Sequence, residues 1–288
     1  TSPGEIGIDA DDMKLITKMS GEITVQEKED EKIYISCGKK TVTVPGCKNK
    51  EIFLPVLDDT QTHVMTLTES WLLDTVTKLV TYTLVTYTEE EAANRILSVF
   101  NFNTKHKRVE ALDGHRNGMR SLANQRILEE TENPFDTVKL QQKCVPVFKK
   151  LMNKKSYAQI KVIQDKKYVK VEGADFTYIA RRIDGEYFKV EQMLTDAKDY
   201  IFSVDRESIL SAMNYNCDIT KKEEKEPVIF HSENGQLYSY MKTSRYETVD
   251  ALETTQLTMS DDLFIGFNPY FLADVFSIID SDSPVCRG

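Results

Sequence analysis

The stretch Arg108-Val-Glu-Ala-Leu-Asp-Gly-His-Arg-Asn-Gly-Met-Arg120 decides how this chain is read. Asp113-Gly114 is a strong turn dipeptide: Gly accepts positive φ without a Cβ clash and Asp tolerates the left-handed region, so two strands meet here as a hairpin. His115 and Arg116 stand beside the turn, either as solvated surface residues or as part of a site, and local chemistry leaves both readings open.

Outward from the hairpin, strands over about 95–102 and 107–112 lead into the turn and 119–124 returns from it. The helix that follows spans 143–152, with Val145, Phe148, Leu151 and Met152 on one face and Pro146 in its first turn, where a missing N–H costs little. Before the hairpin, an alternating strand from Val64 ends at Thr68, the N-cap of a helix carrying Trp71, Leu72, Val76, Leu79 and Val80. Trp71 reads as packing at the edge of the core. Residues 81–88 fit either a strand or the frayed end of that helix.

The same order recurs. Phe202-Ser-Val-Asp205-Arg-Glu-Ser-Ile209-Leu210-Ser-Ala-Met213 lies 137 positions after the segment starting at Met65 (65 to 202), so Asp205 falls on Thr68 as cap and Ile209, Leu210 and Met213 on Leu72, Leu73 and Val76. A last helix over about 268–279 sets Leu272, Val275 and Ile279 against Val145, Phe148 and Met152. At the start, Met13, Ile16 and Met19 recur at helical spacing behind Asp9, Asp11 and Asp12, Gly21 ends the helix, and three short strands follow. The chain therefore reads as half a unit (1–60), a complete unit (61–195) and most of another (196–288), each half-unit being a helix plus a small antiparallel sheet. Both ends read as cut, and the open sheet edges that result predict a fragment or a protein completed by a partner.

Composition bounds the rest. The 288 residues carry 40% hydrophobic and 29% charged residues and a formal charge of -9, without an apolar run near membrane length, which predicts a soluble intracellular protein. Five scattered cysteines, none in a CxxC pair, argue for free thiols over a disulfide framework or zinc site. No phosphate-loop, dinucleotide, nucleophile-elbow or zinc-protease motif occurs, and His63, His106, His115 and His231 lack metal-ligand spacing, so neither a metal nor another cofactor is expected. The acid pairs Asp11-Asp12, Asp58-Asp59 and Asp261-Asp262 fit solvated caps and turns better than a hydrolase centre. Lys14, Lys18, Lys78, Lys143 and Lys150 lie opposite the apolar helix faces, as solvated lysines do, but their repetition in several half-units suits a row of basic helices tracking a regular polyanion.

The tandem units, Asp113-Gly114-His115-Arg116, the crossing segment Ile183-Asp-Gly-Glu-Tyr187-Phe188 and the helix entry Gly266-Phe267-Asn268-Pro-Tyr-Phe-Leu272 together resemble the bacterial DNA polymerase III β subunit, the sliding clamp. The resemblance covers nearly the whole chain. It implies an α+β fold of tandem DNA-clamp domains, helices lining the inside and antiparallel sheets outside, in a head-to-tail homodimeric ring around double-stranded DNA. It also implies a cytoplasmic, nucleoid-associated, non-catalytic processivity factor that tethers the polymerase III catalytic subunit and the clamp loader through short peptide motifs, with no membrane partner. The basic helix faces (Lys14, Lys18, Lys78, Lys143, Lys150) would face DNA. The family's peptide pocket maps onto Ala93, Leu112, Gly114, His115, Arg116, Asn117, Phe188, Gln192 and Met193. Asn117 stands where the family usually has Leu, Phe188 where it has Pro, and Ala93 where a larger apolar residue is common. Ring closure would bring Ile52 and Phe53 against Asn216 and Cys217 of the other subunit, positions that are usually apolar. A rival expectation is a clamp-fold peptide-binding module that does not encircle DNA.

Overall fold

The computed structural model describes residues 7–28, 32–47, 55–58, 61–84, 95–128, 135–193, 200–220, 226–259 and 263–287. The chain forms two compact units, 1–57 and 58–288.

In the first unit, β1 (Gly7–Ile8), α1 (Ala10–Ile16), β2 (Ile23–Lys28), β3 (Lys32–Cys37) and β4 (Lys40–Cys47) give an antiparallel sheet in the order β1-β4-β3-β2. Its core is Ile16, Ile33, Ile35 and Val44, with Ile8, Met19 and Val42 packed against it. Asp9 caps α1 by accepting the Asp11 N–H at 2.8 Å. The helix stops at Ile16, five residues before Gly21, whose φ of +125° serves instead the turn into β2. Met13 is exposed, so the helix buries a narrower face than its apolar spacing predicts.

The second unit holds two cores built on one plan. Around the first lie β5 (Thr62–Thr68), α2 (Glu69–Leu79), β6 (Val99–Asn103), β7 (Arg108–Leu112), β8 (Asn117–Ser121), β9 (Arg126–Ile127), β10 (Thr137–Gln141), α3 (Cys144–Leu151), β11 (Gln159–Gln164), β12 (Tyr168–Glu172) and β13 (Thr177–Arg181). Around the second lie β14 (Tyr200–Val204), α4 (Arg206–Ile219), β15 (Val228–Glu233), β16 (Gln236–Lys242), β17 (Glu247–Leu252), β18 (Thr254–Met259), β19 (Phe264–Phe267), α5 (Pro269–Ile278) and β20 (Val285–Arg287). Among the described residues the sheets run β10-β6-β7-β8 and β13-β12-β11-β5-β9 in the first half, and β18-β14-β20 and β17-β16-β15-β19 in the second. All recorded pairings are antiparallel.

The repeat is real in architecture and altered in detail. Asp205 caps α4 by accepting the Ser208 N–H at 2.7 Å, whereas Thr68 makes no side-chain cap bond and its own N–H goes to Gln125 Oε1 at 2.8 Å. Residues 80–82 continue α2 as a 3-10 turn, so the first part of the ambiguous 81–88 segment is the helix end. Trp71 packs at the margin of the first core, with the Arg120 guanidinium 5.4 Å above its ring. On α5, Leu272, Phe276 and Ile279 meet the second core, but Val275 and Ile278 pack against the first. The expected match of Val275 to Phe148 is thus corrected: α5 is apolar on more than one side and bridges the two cores. Among the described residues Cys37, Cys144, Cys217 and Cys286 are free thiols, and no helix is long and apolar enough to cross a membrane.

Candidate partner-binding site

The hairpin tip between β7 and β8 is organised by Asp113. Its Oδ1 accepts the backbone N–H groups of His115 (2.9 Å) and Arg116 (2.7 Å), and Gly114 between them takes a φ of +92°. That loop fixes where Arg116 starts, and the guanidinium then makes three hydrogen bonds and two ring contacts. Nε donates to Asp113 Oδ2 at 2.9 Å, Nη2 to the Thr81 carbonyl at 2.9 Å and Nη1 to Asp274 Oδ2 of α5 at 2.7 Å. The group also lies 4.3 Å from the Phe271 ring centroid and 5.7 Å from that of Tyr82, while the His115 and Phe271 rings are 6.0 Å apart. The tip, the end of α2 and the first turns of α5 thereby meet at one arginine.

Electrostatics follow from this geometry. Burial pushes the Arg116 pKa down, but the Asp274 and Asp113 carboxylates outweigh it and the net shift is upward. Burial would raise Asp113, yet the two amide donors and Arg116 hold its carboxyl below the usual range. The Tyr82 hydroxyl is raised, chiefly by burial. Because the folded pKa of Asp113 lies below the unfolded value of roughly 3.9, its stabilisation of the tip is complete above that value and is lost as pH falls through the folded pKa. Protection of the His115 and Arg116 amides, read by NMR as exchange relative to the intrinsic rate at each pH, should therefore hold from about pH 6 down to about pH 4 and fall only below that. Loss of protection already near pH 6 would contradict the Asp113 assignment.

The other wall expected for the pocket is held separately. Phe188, Gln192 and Met193 are exposed, the last two on a 3-10 turn spanning Val190–Met193. Glu191 of that turn is paired with Arg108 of β7, and His106 Nε2 lies 3.3 Å from its carboxylate. The Glu191 carboxyl is held below its ordinary value by its own backbone N–H, with Arg108 and His106 adding to the effect. Arg108 Nε also donates to Glu110 Oε1 at 2.6 Å, and Asn101 Nδ2 to Glu110 Oε2 at 2.7 Å; Glu110 is buried. Leu112 is buried, Gly114 exposed, and Asn117 half-buried with both amide atoms lacking a partner. Ala93 lies outside the described residues.

The remaining expected residues are scattered. Lys14 is exposed beside Asp11, and Lys18, Lys143 and Lys150 are exposed. Lys78 is mostly covered, held by Asp74 and by Asp280. Asn216 is fully buried and accepts from Thr248 Oγ1 at 2.8 Å; Cys217 is half-buried, its thiol pushed up to about 11 by burial, with Asp218 and Asp274 adding. Ile52 and Phe53 lie outside the described residues. Near α4, a cleft of about 740 Å³ is lined by Asp205, Glu207, Asp250 and Glu253 among others. Its carboxylates disfavour phosphate. Among the described residues no group of three or more His, Cys, Asp or Glu could hold a metal ion.

Sequence reasoning found the arginine but missed Tyr82, Phe271, Asp274, Arg108 and Glu191. Phe271 lay in a segment already singled out, Gly266 to Leu272, and was read only as a helix entry.

No family model and no curated protein matches the chain by sequence. Solved structures do match in shape. The beta subunit of DNA polymerase from Streptococcus pyogenes superposes with a TM-score of 0.83 at 19% identity, over 99% of this chain and 75% of that one. The DNA polymerase III subunit beta from Pseudomonas aeruginosa gives 0.83 at 18% identity, over 99% and 76%. The DNA polymerase sliding clamp from Bacillus subtilis gives 0.81 at 15%, over 94% and 70%. The fold is that of the bacterial sliding clamps. Within the clamp fold of this chain, the tip Arg116 and α5 meet where its two buried cores adjoin.

Proposed function

We propose that this chain is a DNA sliding clamp, a non-catalytic cytoplasmic processivity factor that encircles duplex DNA as a head-to-tail homodimer. In this reading its domains are 1–60, 61–195 and 196–288. The single observation that supports it best is the clamp fold over 99% of the chain at a TM-score of 0.83. The hairpin tip around Leu112, Gly114, His115, Arg116 and Asn117, with Ala93, Phe188, Gln192 and Met193, is the place where polymerase and clamp loader insert short apolar peptides. Lys14, Lys18, Lys78, Lys143 and Lys150 face DNA, and Ile52 and Phe53 meet Cys217 across the subunit boundary; Asn216, fully buried and bonded to Thr248, is corrected from that boundary to the interior of its own chain. Loose phosphate contacts suit sliding, since they carry no base information.

The test is topological. The full-length protein, loaded by its organism's clamp loader onto nicked circular DNA, should be retained on the circle and lost once the DNA is linearised. Retention after linearisation marks an ordinary DNA binder, and no retention on the circle sinks the clamp reading. Reversing Lys143 and Lys150 to glutamate should weaken DNA association and lower its salt slope by up to about 0.9 per lost phosphate contact; an unchanged slope removes those two lysines from the DNA face. One observation favours the peptide-binding module as second reading: Lys78 is already neutralised by Asp74 and Asp280.

A further inference from the structure

A chain with a net charge of -9 contains a run, 137–164, with seven lysines and no acidic residue. Four of these, Lys149, Lys150, Lys154 and Lys155, are exposed at the end of α3 and in the loop after it, and none forms an ion pair among the described residues. Beside them stands Tyr157, 86% exposed. An aromatic ring this bare on a folded surface contributes nothing to a core.

The loop that carries it is tightly built. Glu69, at the start of α2, turns its carboxylate to the loop: Oε1 accepts the Asn153 N–H at 2.6 Å and Oε2 accepts the Ser156 hydroxyl at 2.9 Å. Asn153 Oδ1 accepts the Lys155 N–H at 2.9 Å, and the Asn153 carbonyl accepts the Ser156 N–H at 3.0 Å. On the far side, the Ser70 N–H donates to the Ser156 carbonyl at 3.1 Å and the Glu69 N–H to the Ala158 carbonyl at 2.9 Å. These bonds fix the frame of the loop on which the exposed Lys154, Lys155 and Tyr157 are carried.

We propose that this loop is a binding site for single-stranded DNA, in which an unpaired base stacks on Tyr157 while Lys149, Lys150, Lys154 and Lys155 take the neighbouring phosphates. Lysines alone would serve a duplex equally well; the exposed ring is what selects a strand whose bases are free to unstack. A preformed loop favours binding because little ordering entropy is lost on contact. An anionic membrane surface is the poorer fit, since Cys144, Val145 and Phe148 of α3 are buried in the core and only Val147 and Leu151 of that helix stand partly exposed for insertion. The site needs no closed ring and is read on linear oligonucleotides, so its fate is separable from that of the clamp reading.

Fluorescence anisotropy of the full chain with a labelled oligo-dT strand and with a duplex of equal length tests it. Tyr157→Ala should weaken binding to the single strand about tenfold and leave the duplex within about twofold, while Tyr157→Phe and Tyr157→Trp keep the single-strand affinity. Lys154→Ala with Lys155→Ala should weaken both DNA forms and lower both salt slopes. Glu69→Ala removes a negative charge from a basic surface, so simple charge attraction would tighten binding; loss of the loop frame should weaken it for the single strand. Circular dichroism of Tyr157→Ala should match the parent, because the side chain is outside the core. The proposal is overturned if the parent shows no single-strand binding, if Tyr157→Ala weakens strand and duplex equally, if Tyr157→Phe behaves as Tyr157→Ala, or if the lysine variants lose binding to anionic phospholipid vesicles and not to DNA.

Discussion

Arg108→Met is expected to destabilise the second unit by roughly 3–5 kcal/mol, the usual effect of removing one partner from a buried ion pair. Glu110 is 1% exposed, and its carboxylate relies on Arg108 Nε at 2.6 Å and Asn101 Nδ2 at 2.7 Å. Methionine keeps the aliphatic stem of the arginine and withdraws the charge, so the carboxylate is left with one neutral donor. Replacing both partners, Arg108→Met with Glu110→Met, should recover most of the loss, because the expense lies in the orphaned charge and not in the missing pair. Urea titration of the single and double variants measures this directly; a single variant within about 1 kcal/mol of the parent, or a double variant worse than the single, would refute the account. Arg108 also holds Glu191, so the single variant frees the turn that carries Gln192 and Met193. Any partner peptide that uses both this turn and the hairpin tip should bind more weakly to both variants, whereas stability returns in the double. That split separates the positioning of the turn from the cost of the buried charge.

What could be read in the sequence was whatever is local and periodic. The strand, cap and helix of β5–α2 and of β14–α4 follow from alternation, an N-cap position and 3.6-residue spacing, all contained within a dozen residues. The Asp113-Gly114 turn is equally local, and the structure gives it the Asx geometry that its two residues favour. In β17 and β19, Val249 and Phe264 are exposed, which blurs the inward-outward alternation that marks a strand. For α5 the difficulty is different: with Phe271, Leu272, Val275, Phe276, Ile278 and Ile279 spread around the helix, no single apolar face stands out, and its role as a bridge between two cores is a tertiary fact. The same holds for the site. Arg116 is marked by its turn, but Asp274 lies 158 residues away in sequence and Thr81 35 residues away, and no spacing rule connects them.

Alanine at Gly118 tests how that arginine is seated. A Cβ added there would sit 2.4 Å from Tyr82 Cδ2 and 2.8 Å from Cε2 and Cγ, far inside van der Waals contact. The Tyr82 ring cannot easily yield, since it is 7% exposed and belongs to the first core. Overpacking of this kind costs about 2–3 kcal/mol, so Gly118→Ala should lower stability by that amount although alanine suits a strand better than glycine. The ring that must move also faces the Arg116 guanidinium at 5.7 Å, and the neighbouring Thr81 carbonyl accepts from Arg116 Nη2. Displacing Tyr82 should therefore disturb the contact of Arg116 with Phe271 and Asp274 and weaken the proposed capture of an apolar peptide at the hairpin tip, measured by calorimetry. Shrinking the ring in a Gly118→Ala and Tyr82→Leu double variant should relieve the clash, giving a coupling energy of about 1 kcal/mol or more in favour of the pair. A neutral Gly118→Ala would mean that Tyr82 is free to shift, and Arg116 would then be held by Asp113 and α5 alone.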